Sequence, residues 1–248
     1  MRAFILALVI LAQQGAQNCA RAGDITVYSP GIVNKPLTQL AQAWTAETGN
    51  KVTLAGFNVG RIRTAVASDA PGDVVVAPTS DFIGFAPKLV SGSQRALGRI
   101  LFGLVVKAGG PHPDISSREK FVAAIKQAGV LGFANPQVGS LTGGMVKDML
   151  RRPEFTGVER RPVKGLIGEA IARGDAPFGG GAITEEINVS GAEVVGPFPD
   201  DFGLHVDVSA AVLKTAASAS DAEAFLRYVT RPEAQAVWKA GGIAETPK

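Results

Sequence analysis

Few residues in this chain have the types and spacing of acid–base chemistry. His205 and Asp207 stand two apart, so a strand there puts them on one face, as either a catalytic pair or a structural hydrogen bond. The structural role is the more economical. Glu185 and Glu186 follow a glycine run, where they read as a helix-start pair favoured by the dipole rather than as cleft groups that would repel an anion. His112, between Pro111 and Pro113, reads as a solvated turn residue. Two histidines and one cysteine exclude most metal chemistry. There is no Gly-x-Ser-x-Gly elbow, no phosphate loop ending Gly-Lys-Ser/Thr, no His-Glu-x-x-His, and no Gly-x-Gly-x-x-Gly between a strand and a helix.

What recurs instead is a small, polar loop ahead of a helix start. Ser29-Pro30-Gly31-Ile32-Val33-Asn34 precedes one helix and Phe57-Asn58-Val59-Gly60 another. Residues 135–142 (NPQVGSLT) precede a third, and Gly179-Gly180-Gly181 with Thr184-Glu185 a fourth. Unpaired N–H groups at helix starts attract anions, and small side chains let a ligand approach the backbone. In an open parallel sheet such loops gather at the carboxyl ends of strands, so four of them converging would form an anion-accepting cleft.

The elements needed to position those loops are legible. Residues 24–29 (DITVYS) read as a strand, and Pro36 opens a helix with Leu37, Leu40, Ala41 and Trp44 on one face. Further strands fall at 51–55, 73–77 (DVVVA), 99–107 (RILFGLVVK), 130–134 and 193–197. Continuous valine runs suit parallel strands buried on both faces. Helices are expected from near Arg61, near 143–152, 164–173, 220–229 and 232–240. Ser116-Ser117-Arg118-Glu119 matches a capping box, Ser-x-x-Glu, before Phe121 and Ile125. Phe178, Phe198 and Phe202 read as core. The alternation is α/β, and 99–107 and 204–213 are candidate strands for crossing between two lobes.

At 248 residues the chain can bury a sizeable core in one large or two modest domains. Its net charge of +3, with basic and acidic residues interspersed, excludes a nucleic-acid binder. Met1-Arg2, the apolar run 3–12 (AFILALVILA) and Ala20-Arg21-Ala22 have the form of a cleavable export signal over residues 1–22. The run is about half the length of a bilayer span, which needs about 20 apolar residues. Cys19 lacks the apolar and small residues before it that a lipid-attachment site requires. Cleavage after Ala22 leaves a near-neutral, cysteine-free, soluble periplasmic chain, whose stability rests on its core.

The runs 25–52, 73–82 (DVVVAPTSDF), 132–144 (GFANPQVGSLTGG), 178–186 (FGGGAITEE) and 221–242 (DAEAFLRYVTRPEAQAVWKAGG) together resemble periplasmic solute-binding proteins of the molybdate-binding type. The resemblance covers nearly the whole exported chain in order, and its most specific part is the closing pair of helices around Thr230-Arg231-Pro232-Glu233-Ala234. It implies a type II periplasmic-binding-protein-like α/β fold, each lobe a mostly parallel sheet flanked by helices, with the ligand cleft between lobes. Residues 23–106 plus 207–248 would form the first lobe and 107–206 the second. It also implies lobe closure on a small anion and delivery to the permease of a membrane ABC transporter, by a monomer that needs no cofactor.

Two departures bear on the ligand. The family pattern puts a serine four residues after the aromatic that ends the first strand, and counting from Tyr28 puts Ile32 there. The second loop, usually a run of serines, is Asn58-Val59-Gly60. Neutral donors for a tetrahedral oxyanion are thus fewer. Arg61 adds a planar fork suited to a carboxylate; Arg63, two residues on, cannot face the same cleft. The contacts expected from the first lobe are Ser29, Gly31, Asn58, Gly60, Arg61 and Thr79. Those from the second are Ser140, Thr142, Gly143 and Thr184. The ligand class is an organic carboxylate or a molybdate-like oxyanion. The alternative is an isomerase of an aconitate-type tricarboxylate on the same scaffold, with Glu185, Asp207 or His205 as base. A sensor-associated binding module without a transporter would differ only in its partner.

Overall fold

A computed structural model describes residues 23–245; the export signal read at residues 1–22 lies outside the described residues. In chain order β1 (Ile25–Pro30) leads to α1 (Asn34–Thr48), β2 (Val52–Phe57) to α2 (Val59–Ala67), and β3 (Val74–Pro78) to the single turn α3 (Phe82–Phe85). The long β4 (Arg95–Lys107) is followed by α4 (Arg118–Ala128), β5 (Val130–Ala134), α5 (Leu141–Met149), β6 (Glu159–Val163) and α6 (Ile167–Arg173). Then come β7 (Phe178–Ala182), the single turn α7 (Ile183–Glu186), β8 (Ala192–Pro197), β9 (His205–Val212), α8 (Ala219–Val229), α9 (Ala234–Ala240) and β10 (Ile243–Ala244). Among the described residues no helix is long and apolar enough to cross a membrane.

The valine run behaves as its composition demands, since every residue of β3 is buried. Helix α1 buries Leu37, Leu40, Ala41 and Trp44 along one stripe and stops at Gly49, whose φ of 77° few other residues adopt at low cost. Trp44 meets Phe225 and Tyr228 edge-on, tying α1 to α8.

The sheet order is β2-β1-β3-β9-β4-β7-β5-β6, with β8 and β10 also on β4. Two parallel groups, β2-β1-β3 and β7-β5-β6, are joined through antiparallel β9 and β4. Strand β4 changes neighbours along its length: Arg95–Leu101 pairs with β9, whereas Phe102–Val106 pairs with β7. It begins four residues earlier than its apolar run because the pairing with β9 continues through a bulge at Gly98. There φ is +147° and a Cβ would come within 2.5 Å of the Ala244 carbonyl oxygen.

Two local expectations are corrected. Gly179, Gly180 and Gly181 form the buried strand β7, not a loop, and α7 after them is one turn long. Packing explains the glycines: a Cβ on Gly179 or Gly181 would come within 2.2 or 2.3 Å of Ile167, and one on Gly180 within 2.8 Å of Phe198. Helix α4 is capped by Ser117, whose hydroxyl accepts the Lys120 N–H, one residue after the position Ser-x-x-Glu implies. His112 is exposed in its loop, as expected, with its Nε2 2.8 Å from Glu193. Phe198 and Phe202 pack against Phe121 as expected of core aromatics.

Candidate functional site

The loops at the carboxyl ends of β1, β2, β5 and β7 meet around one cavity of about 380 Å³. Pro30, Gly31 and Asn34 line it from the first loop, and Phe57, Asn58 and Val59 from the second. Gly139, Ser140 and Thr142 line it ahead of and within α5, and Glu185 from α7. An adjoining cavity of about 390 Å³ shares Val138, Ser140 and Glu185 and reaches Lys164 and Leu166.

Two helix starts face this space. Asn58 caps α2, its side-chain oxygen accepting the Arg61 N–H at 2.9 Å, which leaves its own amide N–H groups to donate elsewhere. Ser140 caps α5, its hydroxyl oxygen accepting the Gly143 N–H at 3.0 Å. Each cap occupies the third N–H of its helix. Val59 and Gly60 in α2, and Leu141 and Thr142 in α5, thus have N–H groups without an intrahelical partner. Two positive helix ends at one cavity suit an anion. The two sides already touch: a Cβ on Gly139 would lie 2.9 Å from Asn58 Nδ2.

The expected contacts fall into two groups. Gly31, Asn58, Ser140 and Thr142 come together on the cavity. Ser29 is fully buried beneath it, its hydroxyl donating to Asn34 Oδ1 at 3.0 Å, so it positions Asn34 instead of facing a ligand. Gly143 is absent from the lining and serves packing, since a Cβ there would fall 1.8 Å from the Ala134 carbonyl oxygen. Thr184 is buried behind Glu185, and its hydroxyl has no partner. Gly60 and Arg61 are exposed on α2 outside the lining. The Arg61 guanidinium lies over the Phe57 ring, 4.4 Å from its centroid, and so braces a wall residue. Thr79 is drawn to β9, its hydroxyl 2.8 Å from that of Ser209. Arg63 is held by Asp81 in a two-pronged pair.

Asn34 opens α1 and Phe57 ends β2, at the edges of two of the small polar loops, and nothing in their spacing singles them out. Glu185 departs most from expectation. The α7 turn is too short to hold it at a solvated helix start; its carboxylate reaches the cavity, with Oε1 3.6 Å from the position of a Cβ on Gly31. Burial pushes its pKa up, against the pull of the Lys35 ammonium. Lys35, in the first turn of α1, donates to the main-chain oxygens of Glu185 at 3.4 Å and Ile187 at 2.8 Å. Glu186 is buried, borders the adjoining cavity but not the main one, and accepts the Gly168 N–H at the start of α6 at 2.7 Å. Burial drives its pKa up to about 7, helped by Glu185 and resisted by the Gly168 and Ile167 amides. Asp207 is clasped by Arg99 at 2.7 and 2.9 Å, which holds its carboxyl below the usual range, and neither it nor His205 lines the cavity. The described residues hold no cluster of metal-ligating side chains.

Helix-start donors gathered at a cleft between two linked α/β lobes define a binding protein for small solutes. A model of the bacterial extracellular solute-binding protein family matches residues 25–244, and the chain belongs to that family. Its fold is that of the type II periplasmic binding proteins. The substrate-binding domain assigned to a molybdenum ABC transporter of Clostridium difficile is similar at a TM-score of 0.74 and 12% identity, over 91% of this chain and 100% of that one. The periplasmic molybdate-binding protein of Azotobacter vinelandii is similar at 0.68 and 20%, over 91% and 100%. In sequence, an aconitate isomerase from a Pseudomonas species is 25% identical over 231 residues, 90% of this chain and 88% of that protein.

Proposed function

We propose that this protein captures a small anion, an organic carboxylate or a molybdate-like oxyanion, in the cavity between its lobes and delivers it to a membrane ABC transporter permease. It would work in the periplasm as a monomer without a cofactor. We take residues 23–106 plus 207–248 and 107–206 as the units that close. The observation that carries the reading is the pair of capped helix starts, α2 at Asn58 and α5 at Ser140, facing one cavity from opposite sides. A ligand taking donors from both sides is fully satisfied only when the lobes are closed, so its binding energy shifts the balance between open and closed forms. Calorimetric titration with molybdate, sulfate, succinate and citrate tests this; heat and a raised melting temperature are expected with at least one. Silence with all four, at millimolar concentration, would sink the proposal.

Glu185 supports a second reading, isomerisation of an aconitate-type tricarboxylate. Of the three candidate bases, it is the one on the cavity wall, and burial raises its basicity. Its carboxylate would take a proton from the CH2 beside the double bond. The electron pair would delocalise over the allylic carbons, and the same proton would return at the far carbon, shifting the double bond. The 25% identity to an aconitate isomerase is the second support. Proton NMR of cis- and trans-aconitate with catalytic protein separates the two: a binder retains ligand in stoichiometric amount, whereas an isomerase interconverts both pools.

A further inference from the structure

The wall of the main cavity carries one ionisable side chain among the described residues, and it is an acid. Glu185 lines both that cavity and its neighbour, and stands across from Gly31 of the first loop. Among the described residues no N–H or O–H donates to its carboxylate. Lys35, whose charge acts on it, directs its ammonium to the main-chain oxygens of Glu185 and Ile187. Glu186, one residue on, borders the neighbouring cavity too but has the Gly168 amide, so the lack of a donor is particular to Glu185.

A partly buried carboxylate without a hydrogen-bond donor is costly, and the Lys35 charge offsets only part of the effect of burial. Asn58 offers N–H groups and Ser140 a hydroxyl, while the free amides of α2 and α5 are donors that serve an anion. A fully ionised tetrahedral oxyanion brings acceptors alone. Beside Glu185 it would meet like charge and would leave that carboxylate as unsatisfied as before. A ligand that fits must satisfy both halves of the wall: negative oxygens for the helix starts, and a donor of its own for Glu185.

Resting on the anion-binding function proposed above, we infer that Glu185 sets the ligand class as a small hydroxycarboxylate, whose hydroxyl donates to Glu185 while its carboxylate takes the N–H groups of α2 and α5. Sites that hydrogen-bond a ligand hydroxyl reject analogues lacking it far more strongly than apolar pockets reject a missing methylene. A hydrogen bond to a charged acceptor corresponds to a preference of roughly 10- to 100-fold.

The test uses matched ligands on the full chain at pH 7.5, by calorimetry and thermal shift. Malate is compared with succinate, and citrate with propane-1,2,3-tricarboxylate, each pair differing by one hydroxyl; sulfate and molybdate are the acceptor-only anions. The expected result is a preference of at least tenfold for the hydroxylated member of the pair that fits, with weaker binding of both oxyanions. In Glu185→Gln, which cannot repel an anion, that preference should fall to within threefold and oxyanion binding should strengthen. Equal affinity within both carboxylate pairs, or tighter binding of molybdate than of any carboxylate, overturns this inference and leaves the anion-binding function standing. A hydroxyl preference unchanged in Glu185→Gln overturns it also, with the ligand-free melting temperature of the variant showing that it is folded. No binding by any of the six anions removes the proposed function, and this inference falls with it.

Discussion

Glu186→Gln should flatten the pH dependence of stability, and the size of the effect follows from the site. Glu186 is 2% exposed and its pKa is driven from 4.5 to about 7. A raised pKa means that the folded chain keeps a proton which the unfolded chain has released. The stabilisation is therefore complete below the unfolded value and is lost as pH rises through the folded one. At about 1.4 kcal/mol per pH unit, the gap from 4.5 to about 7 is worth about 3 kcal/mol, most of it lost between pH 5 and pH 8. Glutamine keeps a carbonyl oxygen for the Gly168 N–H and has no proton to lose. Urea unfolding followed by circular dichroism at pH 5, 6, 7 and 8 should show the parent losing about 2–3 kcal/mol more than the variant over that range. Carboxyls held low by their partners, such as Glu47 and Asp207, release their contributions as pH falls below the usual carboxylate range, outside this window. Burial also raises the pKa of Glu185, so Glu185→Gln is measured alongside. Parallel profiles for the parent and Glu186→Gln would refute the account of Glu186 as a buried, proton-holding cap of α6.

Other substitutions test the architecture of the cleft. Asn58→Ala removes the α2 cap and a wall donor, and should lower stability by about 1 kcal/mol while weakening anion binding, both read by titration and melting. Gly139→Ala puts a Cβ against Asn58 Nδ2 at a residue whose φ is +88°; stability should fall by about 1 kcal/mol and ligand affinity should drop as the two sides are held apart. Gly179→Ala drives a methyl into Ile167 and should cost about 1–3 kcal/mol in urea unfolding, without a selective effect on binding. Lys35→Met removes the donations to Glu185 and Ile187 and should weaken ligand binding several-fold with little change in the melting temperature of the free protein.

The fold was legible because its signals are local. Apolar runs such as 73–77 marked buried strands, Pro36 and the Leu37-Leu40-Trp44 stripe marked α1, and the loops before α2 and α5 proved to carry the caps that face the cavity. Fine placement within the site was less legible, because it depends on partners far away in the chain. Thr79 is taken by Ser209 and Ser29 by Asn34, and Arg61 lies against Phe57 outside the cavity. The glycine triplet looked like a ligand loop because composition cannot tell a glycine that frees the backbone from one that admits a neighbour. In β7 Ile167 and Phe198 are those neighbours, and both belong to segments that the sequence alone does not bring near. Glu185 departs from a helix-start role for a related reason: a helix-start dipole needs a helix several turns long, and α7 has one turn.

The order of strands also dictates an order of assembly. Strand β3 has β1 on one side and β9 on the other, and β9 runs from His205 to Val212, about 130 residues further along the chain. Until that segment is made, β3 and the first part of β4 present open edges with nothing to pair them. The half of the protein that is written first is thus completed almost last, and an emerging chain carries no finished lobe from its own N-terminal third. Strand β9 is the piece whose arrival lets both halves close around a common sheet.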